Sequence, residues 1–144
     1  MSTTKKMPTD FAGLLHYQHS TYNEFHKNPA NVRLHLWAVP LFQLGNIAIV
    51  LGPLLLLVPV SAPVAIGVSV GGIVMSAISL AAQSRGHSTE VNPPEPFESR
   101  LNFVQRIFGE QWINFPRFVL SGGWRIAFEK APTKHYHADP SPLP

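Results

Sequence analysis

Two short constellations in this chain carry residue types able to bind a transition metal: His26-x-x-Pro29-x-Asn31-x-x-x-His35 and Gln83-x-x-Gly86-His87-x-x-Glu90. Imidazole and carboxylate suit Fe(II), Mn(II) or Zn(II). Two histidines with one carboxylate leave positions open for oxygen and substrate in non-haem iron enzymes. The sequence has no cysteine, which excludes disulfides, thiolate zinc sites and a cysteine nucleophile, so an ion must be held by histidine, carboxylate, carbonyl or water. In one straight helix, the step from His26 to His35 turns the chain by about 180°. The two rings therefore converge only if the backbone breaks between them. Asn28-Pro29 supplies that break, as a capping residue followed by proline at the first helical position.

The elements that must position these residues are set by the forty-nine residues from Leu36 to Ser84, which include no Asp, Glu, Lys, Arg or His. That is about twice the ~20 apolar residues a helix needs to cross a bilayer. Pro59-Val60-Ser61-Ala62-Pro63 interrupts the run near its middle, where two prolines oppose a continuous helix. The sequence thus predicts an all-α integral membrane bundle, with two spans at about 36–58 and 63–83 joined by a tight turn. A hairpin returns the chain to the face it left, so His35 and His87 should meet at one surface.

Amphipathic helices are expected on either side of the hairpin. One runs from Phe11 to about His26, with Phe11, Leu15, Tyr22 and Phe25 on its apolar face and His19 and His26 along the border. A second begins near Glu98 or Ser99 and presents Leu101, Val104, Ile107, Phe108, Gln111, Trp112 and Phe115 on one side, with Arg100, Arg106 and Glu110 elsewhere. Pro116 should kink or break it before a last stretch from Arg117 to about Glu129. Gly67 and Gly71 form a small-xxx-small pair expected to pack on the first span. Residues 1–131 read as one membrane domain, and the proline-rich tail 132–144 as disordered.

The formal charge of +3 does not point to nucleic acid, because the basic residues are dispersed and several flank the apolar run. Lys5, Lys6, Lys27 and Arg33 precede it, Arg85, Arg100 and Arg106 follow it, and the central turn has none, so both termini should be cytoplasmic. The polar N-terminus through Asp10 lacks a signal-peptide pattern, which leaves the first span as the insertion signal. The short loops favour a bacterial inner membrane over the endoplasmic reticulum.

The stretch Tyr22-x-x-x-His26-x-x-Pro29-x-Asn31-x-x-x-His35-x-x-x-x-Pro40, followed by Gln83-x-x-Gly86-His87-x-x-Glu90-x-x-x-Pro94, resembles the small membrane family related to the yeast 2-hydroxy fatty acid dioxygenase. The resemblance covers roughly residues 15 to 128. It departs from the family pattern at Glu90, which stands three rather than four positions after the histidine, and at Ala38, where the family usually has glycine. It implies an Fe(II)-dependent oxygenase that removes one carbon from a 2-hydroxy fatty acid with molecular oxygen, beside membrane lipid. In that reading His26, His35 and His87 are iron ligands, and His19 or Glu90 completes the set. Asn31 and Gln83 support the ligands, and Arg85 or Arg33 pairs with the substrate carboxylate. The alternative is a non-catalytic adaptor or lipid-binding protein with structural histidines. His16 is ambiguous, and His135 and His137 read as incidental. The oligomeric state is not encoded in any motif.

Overall fold

The computed structural model of the chain describes residues 7–92 and 94–129, and all regular structure among them is helical. Helix α1 (Phe11–Thr21) starts where the Asp10 carboxylate accepts from Gly13 N at 2.7 Å, and continues as a 3-10 turn over Tyr22–Glu24. The first helical segment therefore stops before His26, which lies in the connection to α2 (Pro29–Leu54). Asn28 caps α2 by accepting from Ala30 N at 2.9 Å, and Pro29 occupies its first turn. A 3-10 turn (Leu55–Leu57) ends this arm. Helix α3 (Ala62–His87) runs one turn beyond the expected Gln83, which makes His87 a residue of the helix end rather than of a loop. The proline-rich tail, with His135 and His137, lies outside the described residues.

Arms α2 and α3 are long and apolar enough to span a membrane, as Pro29–Leu57 and Ala62–His87. At ~1.5 Å per residue such helices exceed the ~30 Å hydrocarbon layer. Only 22% and 17% of their most apolar stretches are buried by protein, so Leu44, Ile47, Val50, Ile66, Ile73 and Ile78 among others face outward. That pattern differs from the core helix of a water-soluble fold, whose apolar residues are mostly inside.

The contact between the arms is built from small residues at sevenfold spacing. Asn31, Ala38, Gly45 and Gly52 form a buried stripe on α2, and Ala65, Gly72, Ser79 and Gly86 form one on α3. They meet in antiparallel register. A Cβ on Gly52 would strike Ser69 and the Ala65 carbonyl, and one on Gly45 would strike Ser76 and the Gly72 carbonyl. Ser79 Oγ donates to Ala38 O at 2.6 Å, and a Cβ on Gly86 would collide with Asn31 Oδ1. Close backbone approach of this kind is how helices pack without a hydrophobic drive between them. The expected Gly67 and Gly71 pair is not used: a Cβ at either meets nothing within 4 Å, because both lie on the outer face of α3.

The C-terminal part is helix α4 (Arg100–Gly109), a π-helical turn over Glu110–Asn114, then α5 (Phe115–Leu120) and α6 (Trp124–Glu129). Pro116 does not break the chain. It has no N–H to return to the Trp112 carbonyl, and it comes directly after the widened turn, in which Phe115 N–H reaches back to Glu110 O. The break comes at Ser121–Gly123, where Gly122 adopts φ +74, a conformation glycine takes at little steric cost.

The expected apolar side of this segment is fully buried only at Gln111 and Phe115. Asn102, Arg106, Gln111 and Asn114 are buried, while Leu101, Val104, Phe108 and Trp112 are exposed. Polar residues turned inward and apolar ones outward are what a lipid-facing helix requires.

Candidate metal centre

His26, His35, His87 and Glu110 converge so that one potential ligand atom from each lies within 4.8 Å of all the others. The ring centroids of the three histidines form a near-equilateral triangle, at 4.7 Å (His26 to His35), 5.0 Å (His26 to His87) and 4.8 Å (His35 to His87). Glu110 Oε1 stands 3.8 Å from both His26 Nε2 and His35 Nε2.

Local chain geometry explains the convergence. His26 Nδ1 lies 2.9 Å from Tyr22 O, and His35 Nδ1 lies 3.0 Å from Asn31 O. A carbonyl oxygen can only accept, so Nδ1 carries the proton in both rings and Nε2 presents its lone pair to the centre. Fixing the tautomer through a backbone carbonyl is the usual arrangement behind a metal-bound histidine. Among the described residues, His26 Nε2, His35 Nε2 and His87 Nδ1 are buried without any hydrogen-bond partner.

Three orphaned ring nitrogens in one place are costly unless something binds them. Donors ~2.0–2.2 Å from a common ion lie ~3–4 Å apart, so the group fits a single cation with only small inward ring movements. The three rings meet pairwise in T-shaped contacts.

Tyr22 organises two members at once. Its ring is stacked on His26 at 4.0 Å, with the planes 2° apart, and its hydroxyl donates to Glu110 Oε1 at 3.3 Å. Phe118 backs Tyr22 at 4.7 Å. Burial pushes the Glu110 carboxyl up from 4.5 to about 7, against the lowering effect of the Tyr22 hydroxyl and the Arg106 guanidinium. Burial also holds His26 well below its ordinary 6.5, and the two neighbouring imidazoles add to this. Without a cation, burial favours a neutral His26 ring and a Glu110 carboxyl that keeps its proton up to about 7. A divalent ion reverses the preference of the carboxyl.

Several residues singled out in the sequence lie elsewhere. Glu90 is not brought into the group. Its carboxylate accepts from Lys27 N at 3.2 Å, Asn28 N at 3.1 Å and Asn31 Nδ2 at 2.7 Å, closing the open end of the hairpin over the start of α2. His19 also stays outside; burial lowers its pKa, with further lowering from Arg117 and His16. Asn31 is fully buried and joins the site through its backbone carbonyl on His35 and its side chain on Phe25 O and Glu90.

Gln83 exchanges amide hydrogen bonds with Gln111. Arg85 is exposed, and so is Arg33, which lies over the Phe128 ring at 5.3 Å. Neither arginine reaches the centre, because the helix end turns both side chains to the surface.

Glu110 is the residue that sequence reasoning placed on the wrong side. A usable signal existed: Asn102, Arg106, Glu110 and Asn114 recur every fourth position, a polar stripe opposite the outward apolar one. In a chain with membrane spans, such a stripe belongs inside.

Comparison of the chain with protein-family models, with curated proteins and with solved structures finds no match.

Proposed function

We propose that the protein is a non-haem Fe(II) oxygenase of the membrane, acting on 2-hydroxy fatty acids to give the acid one carbon shorter. The observation that carries this reading is the triangle of histidines with unpaired nitrogens, completed by Glu110. A neutral-imidazole and carboxylate set suits Fe(II), and His26, His35, His87 and Glu110 would hold it. When bound, the ion would supply oxygen activation.

The chain's own residues do the rest. Tyr22 and Asn31 orient two rings through their carbonyls, Tyr22 steers the Glu110 carboxylate, and Glu90 holds the chain segments bearing His26 and His87 together. Consumption of one O2 per hydroxy acid, with release of carbon dioxide and water, balances the loss of a carbon. The basic residues around the histidine end favour placing that end and both flanks on the cytoplasmic side, in keeping with a bacterial inner membrane.

Protein purified without oxygen in detergent should contain close to one iron per chain and take up oxygen on addition of 2-hydroxypalmitate. Absence of both would reject the proposal. Metal binding without uptake would leave a metal-holding membrane protein and remove the oxygenase.

A further inference from the structure

A cleft of about 380 Å³ lies beside the metal centre, with His87, Glu110, Gln83 and Arg106 among its polar residues and Leu80, Phe97, Phe103 and Ile107 among its apolar ones. Its volume falls within the ~300–1,000 Å³ of small-molecule sites. Arg106 also borders a smaller cavity that reaches His26 and Tyr22, so its guanidinium stands where the two spaces meet.

Arg106 is only 9% exposed and has no direct ion pair: Glu110, Glu95 and Glu98 are close enough to favour its charge, but among the described residues no carboxylate lies within 4.0 Å of the guanidinium. One nitrogen, Nη1, donates to Glu95 O at 2.9 Å and Pro96 O at 3.2 Å, and the group lies over Phe97 at 4.6 Å. These contacts fix its plane. Nε and Nη2 have no hydrogen-bond partner among the described residues. That free edge has the forked geometry that holds a carboxylate through two parallel bonds. A largely buried guanidinium edge with no direct partner is open to an anion that can bond to it.

We infer that this cleft seats a single-chain fatty carboxylate, with Arg106 gripping the carboxylate and the chain running between α3 and α4 past Leu80 and Phe103. The identity of the head group's reactive carbon rests on the oxygenase reading; the cleft and its arginine do not. Phe97 and Phe103, both well exposed and in edge-to-face contact at 4.9 Å, stand at the rim as an aromatic gate. A phosphate-bearing lipid would offer the same charge, but one chain suits this cleft better than two.

The test uses a photoreactive palmitic acid carrying an alkyl diazirine, with the protein in phosphatidylcholine nanodiscs and labelled sites mapped by mass spectrometry. Label should fall on the Leu80 and Phe103 to Ile107 segments and be displaced by palmitate, but not by hexadecanol or phosphatidylglycerol. Arg106→Gln should reduce it by about tenfold or more, as loss of a charge-assisted bond implies, and Arg106→Lys should restore part of it. Leu80→Trp, which leaves the arginine untouched, should abolish labelling by filling the cleft.

Displacement by hexadecanol as strong as by palmitate, equal displacement by phosphatidylglycerol, or label confined to the outer face of α2 would each overturn the inference. A His26→Ala, His35→Ala double variant should still be labelled, which separates this test from that of the iron. Labelling without oxygen uptake sinks only the oxygenase, and uptake with an unchanged KM in Arg106→Gln sinks only the cleft.

Discussion

Gln83 and Gln111 donate to each other, at 3.1 Å from Gln83 Nε2 and 2.6 Å from Gln111 Nε2, deep between α3 and the π-helical turn. The same Gln83 nitrogen reaches Ser79 Oγ, and Gln43 Nε2 donates to Gln111 O at 2.7 Å. The turn that bears Glu110 is thus tied to both arms of the hairpin. Truncating one glutamine to leucine leaves the other with buried unpaired groups and should cost about 1–3 kcal/mol; removing both together should cost less than the sum. A double-mutant cycle of thermal unfolding in detergent checks this, and additive losses would argue against a coupled pair.

Glu110 and Glu90 should separate cleanly under mutation. Glu110→Ala removes a proposed ligand, and iron affinity should fall at least ~10–100-fold, the range seen when groups behind ligands are lost. Glu90→Ala should retain most of the iron but lower the unfolding temperature, since Lys27 N and Asn28 N lose this acceptor and Asn31 Nδ2 keeps only Phe25 O. Elemental analysis beside melting curves tests both; retention of full iron by Glu110→Ala would strike the carboxylate from the site.

The pH dependence is set by Glu110. Its carboxyl, raised from 4.5 to about 7 by burial, must give up its proton when an ion enters. Apparent metal affinity should therefore rise from pH 6 to 8 and flatten above, and Glu110→Gln should remove this slope. The sign for the metal-free fold is the opposite. An unfolded carboxyl ionises first, so this group's contribution is lost as pH climbs from 4.5 through 7. His26, kept neutral below its usual 6.5, makes the fold lose stability as the pH falls through 6.5. Calorimetric titration in two buffers of different ionisation enthalpy measures the proton released on binding.

The glycines give a sharper contrast than any polar residue. Gly45→Leu and Gly52→Leu place side chains into the facing arm and should cost about 1–3 kcal/mol or prevent close packing, as overfilling a packed contact does. Gly67→Leu and Gly71→Leu point into open space and should be tolerated. Equal damage from both sets would mean that the outer face of α3 has a partner of its own.

The hairpin, the break at Asn28-Pro29 and the meeting of His35 with His87 could be read from the chain because each depends on local rules: a charge-free run, two prolines and a cap. The fourth position of the centre could not be read in the same way. A helical wheel at 100° per residue assigns Glu110 and Arg106 to water, an assumption that fails here, where Arg106 is buried and Leu101, Val104 and Phe108 face outward. The π-helical turn then widens the helix at Glu110–Asn114 and shifts the phase of α5 relative to α4. Glu90 misled for the opposite reason: its nearness to His87 in sequence suggested a ligand, whereas the bend after α3 spends that carboxylate on the backbone of Lys27 and Asn28.

The matched stripes on α2 and α3 make the hairpin behave as a vernier scale. Extra residues at its tip, between Val58 and Ser61, would leave the opposite end untouched. A single residue inserted between Ala65 and Gly86 would swing His87 by about 100° and slide it by about 1.5 Å, whereas seven inserted into each arm would restore the alignment in a longer rod. Thickness of the host membrane can therefore change through the tip or in whole heptads, while the imidazole triangle keeps its shape.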